Sequence, residues 1–350
     1  MEWKKDYLEK AFDLMAEQEA LYQSSSFWEE ACKKISKTFV ESDFNNFRRD
    51  QHGLNFFIPT YGFPGNSFSK VNIGKIMELF YESELRKNYL AQEKFLKGDL
   101  LANADYRVLK AANSKDDTLD LLSFSESAFG NPIEQFEIED KVFSRSSLNY
   151  LLGLSFLKTL LPNFIPNKVL EIGGGFGTLG EILFKIPGQE IKYIDVDLPP
   201  IFVIASEYIR NACELNDDEY LLSSLDDTDD EINIENLPSF SFLPSWEIKQ
   251  LTGKIDLFVN FISFQEMEPT IVKNYLRVVS HLNVDVVLLR NMREGKQKAT
   301  KESVGVISPI VTDDYSKFLP DYELIGSNVL PFGYTTVDDF NSELLVFKRK

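Results

Sequence analysis

Cysteine and histidine are scarce in this chain of 350 residues, which contains two of each. Cys32 and Cys213 are far apart and lack the short spacing of a metal site. We therefore expect reduced thiols, a cytoplasmic location and no metal in the site.

The chain is also poor in positive charge and in long apolar runs. Its 37 Lys and Arg residues face 55 Asp and Glu residues, which gives a formal net charge of −18. This balance disfavours non-specific binding to nucleic acid or to an anionic membrane. The longest apolar-rich stretch, residues 148–161, is too short to span a bilayer and contains Lys158. The N-terminus lacks the apolar region of a signal peptide. We expect no nucleic-acid partner and no membrane span, whereas the sequence leaves the oligomeric state open, homo-oligomers included.

Apolar residues are abundant, and their spacing predicts helices in the first part of the chain. Residues 1–30 and 71–113 show helical periodicity, and a turn-rich aromatic segment at 56–68 is predicted to be either a loop over the site or part of the core. A polar stretch at 114–120 suggests a boundary. We predict a helical N-terminal domain over residues 1–130, shaping an acceptor pocket or lid, and a second domain over residues 131–350.

Strands and helices alternate regularly in the second domain. A helix capped by Ser144 or Ser146 precedes strands at 168–172, 191–197, 240–244, 254–264 and 285–291, and two more strands follow near the C-terminus, the last with the polar tail of an edge strand. This alternation predicts an α/β fold with a doubly wound, mostly parallel, seven-stranded sheet, whose ligand lies at the carboxyl ends of the strands. The acidic segment at 216–235 lacks calcium-loop spacing and is predicted to be a solvated insertion.

A strand that turns through glycines into a helix lies at residues 168–183. Its glycines allow two interpretations. Gly175, Gly177 and Gly180 satisfy the dinucleotide pattern GxGxxG. Glu171 with Gly173, Gly175 and Gly177 satisfies ExGxGxG, which fits better because its first glycine follows the strand at once. A carboxylate at this place suits a ligand with an ammonium group rather than a pyrophosphate.

The ExGxGxG segment resembles the first motif of Rossmann-like (class I) S-adenosylmethionine-dependent methyltransferases. YIDVDLPP is similar to a strand-end segment of O-methyltransferases, in which an acidic residue binds the ribose hydroxyls. Asp197 matches that position, and Asp195 is the competitor. DLFVNFISFQEMEP resembles the fourth-strand motif of the sugar O-methyltransferase family. The resemblance covers roughly residues 130–350.

The resemblance implies an S-adenosyl-L-methionine cofactor and methylation of a sugar hydroxyl on a glycan precursor or nucleotide-sugar. The implied cofactor-binding residues are Glu171, Gly173, Gly174, Gly175, Gly177, Asp195, Asp197, Asn260 and Phe261. The alternatives are a nicotinamide-dependent oxidoreductase and a non-catalytic S-adenosylmethionine-binding regulatory protein.

Methyl transfer to a sugar hydroxyl benefits from a positioned base. Glu266, just past the fourth strand, is the first candidate, although a carboxylate here can also serve the next helix N-terminus. His52 is the second candidate if its region folds over the pocket. Ser263 and Gln265 are predicted to line the acceptor rim. Arg145 and Arg290 are candidates for binding an acidic sugar or phosphate, and the alternative for each is a solvated or salt-bridged arginine.

Overall fold

The computed structural model describes residues 2–41, 43–49, 70–83, 87–114, 119–188, 190–226, 230–299, 305–336 and 339–350. Its α-helices are α1 (Glu2–Glu17), α2 (Ser26–Glu41), α3 (Lys70–Tyr81), α4 (Tyr89–Lys97), α5 (Asp99–Ala112), α6 (Arg145–Leu160), α7 (Thr178–Lys185), α8 (Ile201–Ala212), α9 (Pro269–His281) and α10 (Thr312–Phe318). Within these ranges, none of the helices is long and apolar enough to cross a membrane.

The strands are β1 (Phe136–Ile138), β2 (Lys141–Phe143), β3 (Lys168–Ile172), β4 (Lys192–Asp197), β5 (Tyr220–Leu222), β6 (Ile232–Asn233), β7 (Phe240–Pro244), β8 (Leu251–Thr252), β9 (Leu257–Phe261), β10 (Val286–Met292), β11 (Tyr322–Asn328), β12 (Tyr334–Thr335) and β13 (Asn341–Arg349). The main sheet has the order β11-β13-β10-β9-β3-β4-β7-β5, and β12 pairs with β13. Strands β5, β7, β4, β3, β9 and β10 are parallel, whereas β13 runs antiparallel between β10 and β11. β3 is central, and the later strands are added to the sheet on both sides of it.

This topology confirms the predicted doubly wound, mostly parallel sheet. Two details differ from the sequence-based prediction. The last strand is not an edge strand, because β13 is inserted between β10 and β11. The acidic segment contributes β5, which pairs in parallel with β7, and the short β12 pairs with β13, so the main sheet has nine described strands rather than seven.

Helices cover both faces of the sheet. Gly153 of α6 lies so close to Phe261 that a Cβ there would be 2.3 Å from the ring. On the opposite face, Phe264 packs on Phe258 and stacks on Tyr275 of α9. Since Phe258 and Phe261 differ by an odd number of residues along β9, they point to opposite faces. Ser144 caps α6 by accepting a hydrogen bond from the Ser147 N–H, as the sequence predicts.

The N-terminal half packs on the same core as the sheet. The first 30 residues form not one helix but α1 and the start of α2, joined by residues 18–25. Buried residues of α1, α2 and α5 belong to the sheet's hydrophobic cluster, whereas Ile73, Met77 and Leu96 form a small cluster between α3 and α4. The division at residue 130 stays a prediction. The aromatic segment at 56–68 and His52 lie outside the described residues.

Candidate functional site

The glycine loop (residues 173–177) joins β3 to α7 at the carboxyl edge of the sheet. Gly173, Gly175 and Gly177 have φ angles of 75°, 63° and 95°. This left-handed conformation is unfavourable for side chains with a Cβ, so the sequence needs glycine here. The Gly173 N–H donates to the Val196 carbonyl at 3.1 Å, which ties the loop to the end of β4.

Gly174 is needed for a different reason, namely close approach. A Cβ on Gly174 would lie 2.6 Å from Oδ1 of Asp195 and 2.9 Å from Oε2 of Glu171. The loop backbone therefore rests directly on two carboxyl groups, so a ligand on the loop lies close to both acids.

Glu171 is completely buried in β3. Its Oε1 accepts a hydrogen bond from the Tyr150 hydroxyl at 2.6 Å, and its Oε2 accepts one from the Tyr193 hydroxyl at 2.5 Å. Burial raises the pKa of Glu171 to about 7, and the two tyrosine hydroxyls lower it in part. The carboxyl group therefore titrates near neutral pH.

Asp195 and Asp197 follow on the neighbouring strand. Asp195 is fully buried opposite Glu171 in the β3–β4 register, and none of the described side chains donates a hydrogen bond to its oxygens. Burial, then the charges of Asp197 and Glu171, raise the pKa of Asp195 well above its ordinary value. Asp197 accepts a hydrogen bond from the Leu198 N–H at 2.7 Å, and burial raises its pKa to about 7.

Among the described residues, no cation balances this group of acids. In the described part of the chain, no Lys, Arg or His forms an ion pair with Glu171, Asp195 or Asp197. Two fully buried carboxyl groups beside a half-buried one, with no counter-charge among the described residues, are unfavourable in an unliganded protein. The site is therefore suited to a ligand that brings positive charge or hydroxyl donors.

A narrow cleft opens beside Asp197. Its other lining residues come from the strand ends, from α9, from the α1–α2 connection and from the start of α2, and they are Gln23, Ser25, Trp28, Ile172, Val196, Leu198, Ser245, Met267, Ile271 and Tyr275. The Ser245 hydroxyl donates to the Tyr22 carbonyl at 2.6 Å, which fixes the connection over the end of β7. The N-terminal half thus forms one wall of the cleft.

Asn260 joins the ends of β3 and β9. Its amide donates to the Ile172 carbonyl at 2.9 Å and to the Ser263 hydroxyl at 2.6 Å. Its carbonyl accepts from the Phe264 N–H and the Asn291 amide, both at 3.2 Å. The polar atoms of Asn260 are thus occupied within the protein, and Ser263 lies against Gly173.

Two other predicted residues of this segment are part of the core. Phe261 stacks on Tyr150 with ring centres 4.7 Å apart, on the α6 side of the sheet. The Gln265 N–H donates to Asn291 at 3.0 Å, and its side-chain oxygen accepts from the Met292 N–H at 2.8 Å. Both side chains are buried and belong to the packing around the site.

Glu266 lies at the edge of the cleft and is already paired. Its Oε1 forms an ion pair with the Lys296 ammonium, and its Oε2 accepts a hydrogen bond from the Trp28 indole N–H at 3.1 Å. The Ser25 hydroxyl donates to the Glu266 carbonyl at 3.5 Å. Glu266 therefore connects the segment that follows β9 to the N-terminal half.

The two predicted acceptor-binding arginines are buried. Arg145 Nε lies 2.9 Å from Oδ2 of Asp105 in α5. Arg290 donates to the carbonyls of Asn149 and Phe332, and its guanidinium lies 5.2 Å from the Phe261 ring centre. Both belong to the packing between α6, α5 and β10. For Arg145, the ion pair with Asp105 corresponds to the salt-bridged alternative.

The side chains that hold the acids in place are not recognisable from the sequence. Tyr150 and Tyr193 hold Glu171, and Trp28 and Lys296 hold Glu266. Nothing local distinguishes these residues, because Tyr150 reads as part of an apolar helix and Tyr193 as part of a buried strand. Only their long-range contacts assign them to the site.

No protein-family model and no curated protein matches this chain. Among solved structures, the magnesium protoporphyrin IX methyltransferase of Synechocystis PCC 6803 with bound S-adenosylmethionine aligns over 59% of this chain and 86% of its own, with 14% identity and a TM-score of 0.37. The mitomycin 7-O-methyltransferase MmcR aligns over 95% of this chain and 75% of its own, with 11% identity and a TM-score of 0.37. The methyltransferase domain of bacterial CtHen1-C aligns over 58% and 98%, with 12% identity and a TM-score of 0.39.

Proposed function

We propose that this chain is an S-adenosylmethionine-dependent O-methyltransferase. The observation that carries the proposal is the group of three acids beside the glycine loop, of which Glu171 and Asp195 are fully buried and Asp197 is half-buried. S-adenosylmethionine brings an ammonium group, a sulfonium and two ribose hydroxyls. Its positive charges would offset the buried acids, and its hydroxyls would donate to them.

The residues present fit this cofactor. Glu171 and Asp195 lie directly behind Gly174, where they would attract the ammonium end. Asp197 ends β4 and would accept hydrogen bonds from the ribose hydroxyls. Leu198, Met267 and other apolar residues of the cleft offer a wall for a flat ring. When bound, the cofactor supplies a methyl group that an acceptor oxygen can attack.

We propose that the acceptor is a sugar hydroxyl on a glycan precursor or nucleotide-sugar, bound at the Glu266 edge of the cleft. The Trp28 indole is suited to stacking on a sugar ring. Glu266 would exchange its hydrogen bond with Trp28 for one with the acceptor hydroxyl, and would take the proton as that oxygen reacts. Ser263 is half-buried against Gly173, and we propose that its hydroxyl also contacts the acceptor.

The nicotinamide alternative is disfavoured by charge. A dinucleotide would place a pyrophosphate on the glycine loop, next to Glu171 and Asp195, so like charges would be enclosed together. Gly180 does not separate the two alternatives. A Cβ on Gly180 would lie 2.9 Å from the Tyr193 ring, so this glycine serves helix–strand packing with either ligand.

Calorimetric titration with S-adenosylhomocysteine and with NADH tests the cofactor. We expect binding of the first and none of the second; NADH binding without S-adenosylhomocysteine binding would overturn the proposal. A panel of sugar acceptors then tests turnover. We expect Glu266→Gln to lower kcat by about 10²-fold or more while cofactor affinity is unchanged.

Glu268→Gln is the matched control, because the nearby Glu268 carboxylate accepts hydrogen bonds from the Ile307 and Ser308 N–H groups and has no proposed role in the reaction. It should keep normal turnover. Unchanged turnover in Glu266→Gln would remove Glu266 from the role of base and leave His52 as the remaining candidate. Cofactor binding without turnover on any acceptor would favour the regulatory alternative.

A further inference from the structure

A buried arginine from the N-terminal half lies behind the glycine loop. Arg48, in the segment after α2, is completely enclosed. Its Nε donates to Glu134 at 2.7 Å, its Nη2 to Glu126 at 2.5 Å, and its Nη1 to the Tyr208 hydroxyl at 3.2 Å. Two carboxylates and a fixed fork of hydrogen bonds therefore hold the guanidinium in one place.

The guanidinium faces a ring of the loop itself. Phe176 is the one residue between Gly173 and Gly177 that has a side chain, and only 2% of it is exposed. The Arg48 guanidinium lies 5.0 Å from the Phe176 ring centre, within cation–π range. The rings of Phe47 and Tyr208 contact Phe176 edge-on, at 5.9 and 4.9 Å. The loop is thus held by its one side chain.

The same network reaches the helices that flank the loop. Glu126 also accepts hydrogen bonds from the Ser144 N–H and the Ser147 hydroxyl, at the start of α6. The Tyr208 hydroxyl donates to Glu181 of α7 at 2.6 Å. Arg48 therefore fixes the loop relative to both α6, which carries Tyr150, and α7.

We infer that Arg48 is a positioning residue that holds the glycine loop in its ligand-binding conformation through Phe176. A loop with four glycines samples many backbone conformations, so its binding form needs an external anchor. The apparent affinity for a ligand on the loop falls with the fraction of molecules that keep this form. The effect on cofactor binding rests on the proposed function; the effect on the loop does not.

Hydrogen exchange at residues 173–177 of the unliganded full chain tests the anchor. Phe176→Leu removes the ring and leaves the buried ion pairs intact, and Arg48→Lys keeps the charge without the fork. We expect both to accelerate loop exchange, by up to about 30-fold if the contact contributes about 2 kcal/mol. Exchange of β9 and β10 amides should change much less.

Two controls separate positioning from general destabilisation. Arg49→Met alters the neighbouring exposed arginine, which bonds Asn131, and should leave loop exchange unchanged. Val287→Ala weakens the fully buried core of β10 and should not act selectively on the loop. Unchanged loop exchange in both Phe176→Leu and Arg48→Lys, or an equal effect of Val287→Ala, would overturn the inference.

S-adenosylhomocysteine titration of the same variants gives the functional readout. We expect Kd to rise in Phe176→Leu and Arg48→Lys in proportion to the loop exchange, and to stay the same in Arg49→Met. If the wild-type chain does not bind this ligand, the proposed function fails while hydrogen exchange still decides the role of Arg48. If the ligand binds equally well to all variants, the inferred link to affinity is wrong.

Discussion

Cofactor affinity should increase as the pH rises through 7, because the pKa of Glu171 lies at about 7 in the unliganded protein. A ligand with an ammonium group binds the ionised carboxylate better than the protonated acid. Asp197 keeps some contact with solvent at the cleft, so the magnitude is worked from Glu171, which is fully enclosed.

The size of the effect follows from the titration curve. With a pKa of about 7, Glu171 is about one-tenth ionised near pH 6 and about nine-tenths ionised near pH 8. Binding that requires the ionised form should therefore tighten about tenfold over this range. Binding should also release protons from Glu171, about half a proton near pH 7 and close to one near pH 6.

The stability of the unliganded protein should change in the opposite direction. The pKa of Glu171 is raised above its ordinary 4.5 in the folded state, so the folded state binds the proton more tightly than the unfolded chain. The contribution to the free energy of unfolding is present at low pH and is lost as the pH rises from about 4.5 to 7. Its size is on the order of 3 kcal/mol.

Calorimetry with S-adenosylhomocysteine from about pH 6 to pH 8, in buffers of different ionisation enthalpy, measures affinity and proton release together. Glu171→Gln should flatten the pH profile, whereas Tyr193→Phe should move its midpoint to higher pH, because the Tyr193 hydroxyl lowers the pKa of Glu171. The exposed Glu323→Gln variant serves as control. A flat profile in the wild-type chain, or proton uptake on binding, would refute the reasoning.

Two further predictions concern the loop and its support. Gly174→Ala should weaken S-adenosylhomocysteine binding by at least about tenfold in titration, because the new Cβ meets two carboxyl groups. The control is Gly74→Ala at an exposed position of α3, where no atom lies within 4 Å of the new Cβ; this variant should bind normally and be slightly more stable. Asn260→Ala should lower the free energy of unfolding by about 3 kcal/mol in urea titration, since it leaves several buried polar groups without partners, whereas the exposed Asn211→Ala should change it by less than about 0.5 kcal/mol.

The local elements of this protein can be predicted from its sequence. Strand β3 and its glycines are recognisable because burial and positive φ angles constrain residue type at each position. The cap at Ser144 and the alternation of strands with helices were predicted for the same reason. Each of these features depends on residues a few positions apart.

The order of the strands at the edges of the sheet depends on long-range pairing and could not be predicted. The polar tail after Phe347 indicated an edge strand, yet β13 pairs on both sides and its last residues extend past the apolar centre of the sheet. Likewise, Tyr220–Leu222 reads as part of an acidic surface segment, and pairing with β7 makes it a strand. Local patterns report burial but not which neighbour provides it.

The candidate site divides in the same way. Glu171 and the glycines follow from one short segment of sequence. Three other features follow only from the fold. Two tyrosines from α6 and β4 donate hydrogen bonds to Glu171, and Trp28 and Lys296 pair with Glu266. Arg48 contacts the ring of Phe176, which lies 128 positions away in the sequence. Such contacts depend on side chains that meet after the sheet and its helices have packed, and no spacing along the chain encodes them.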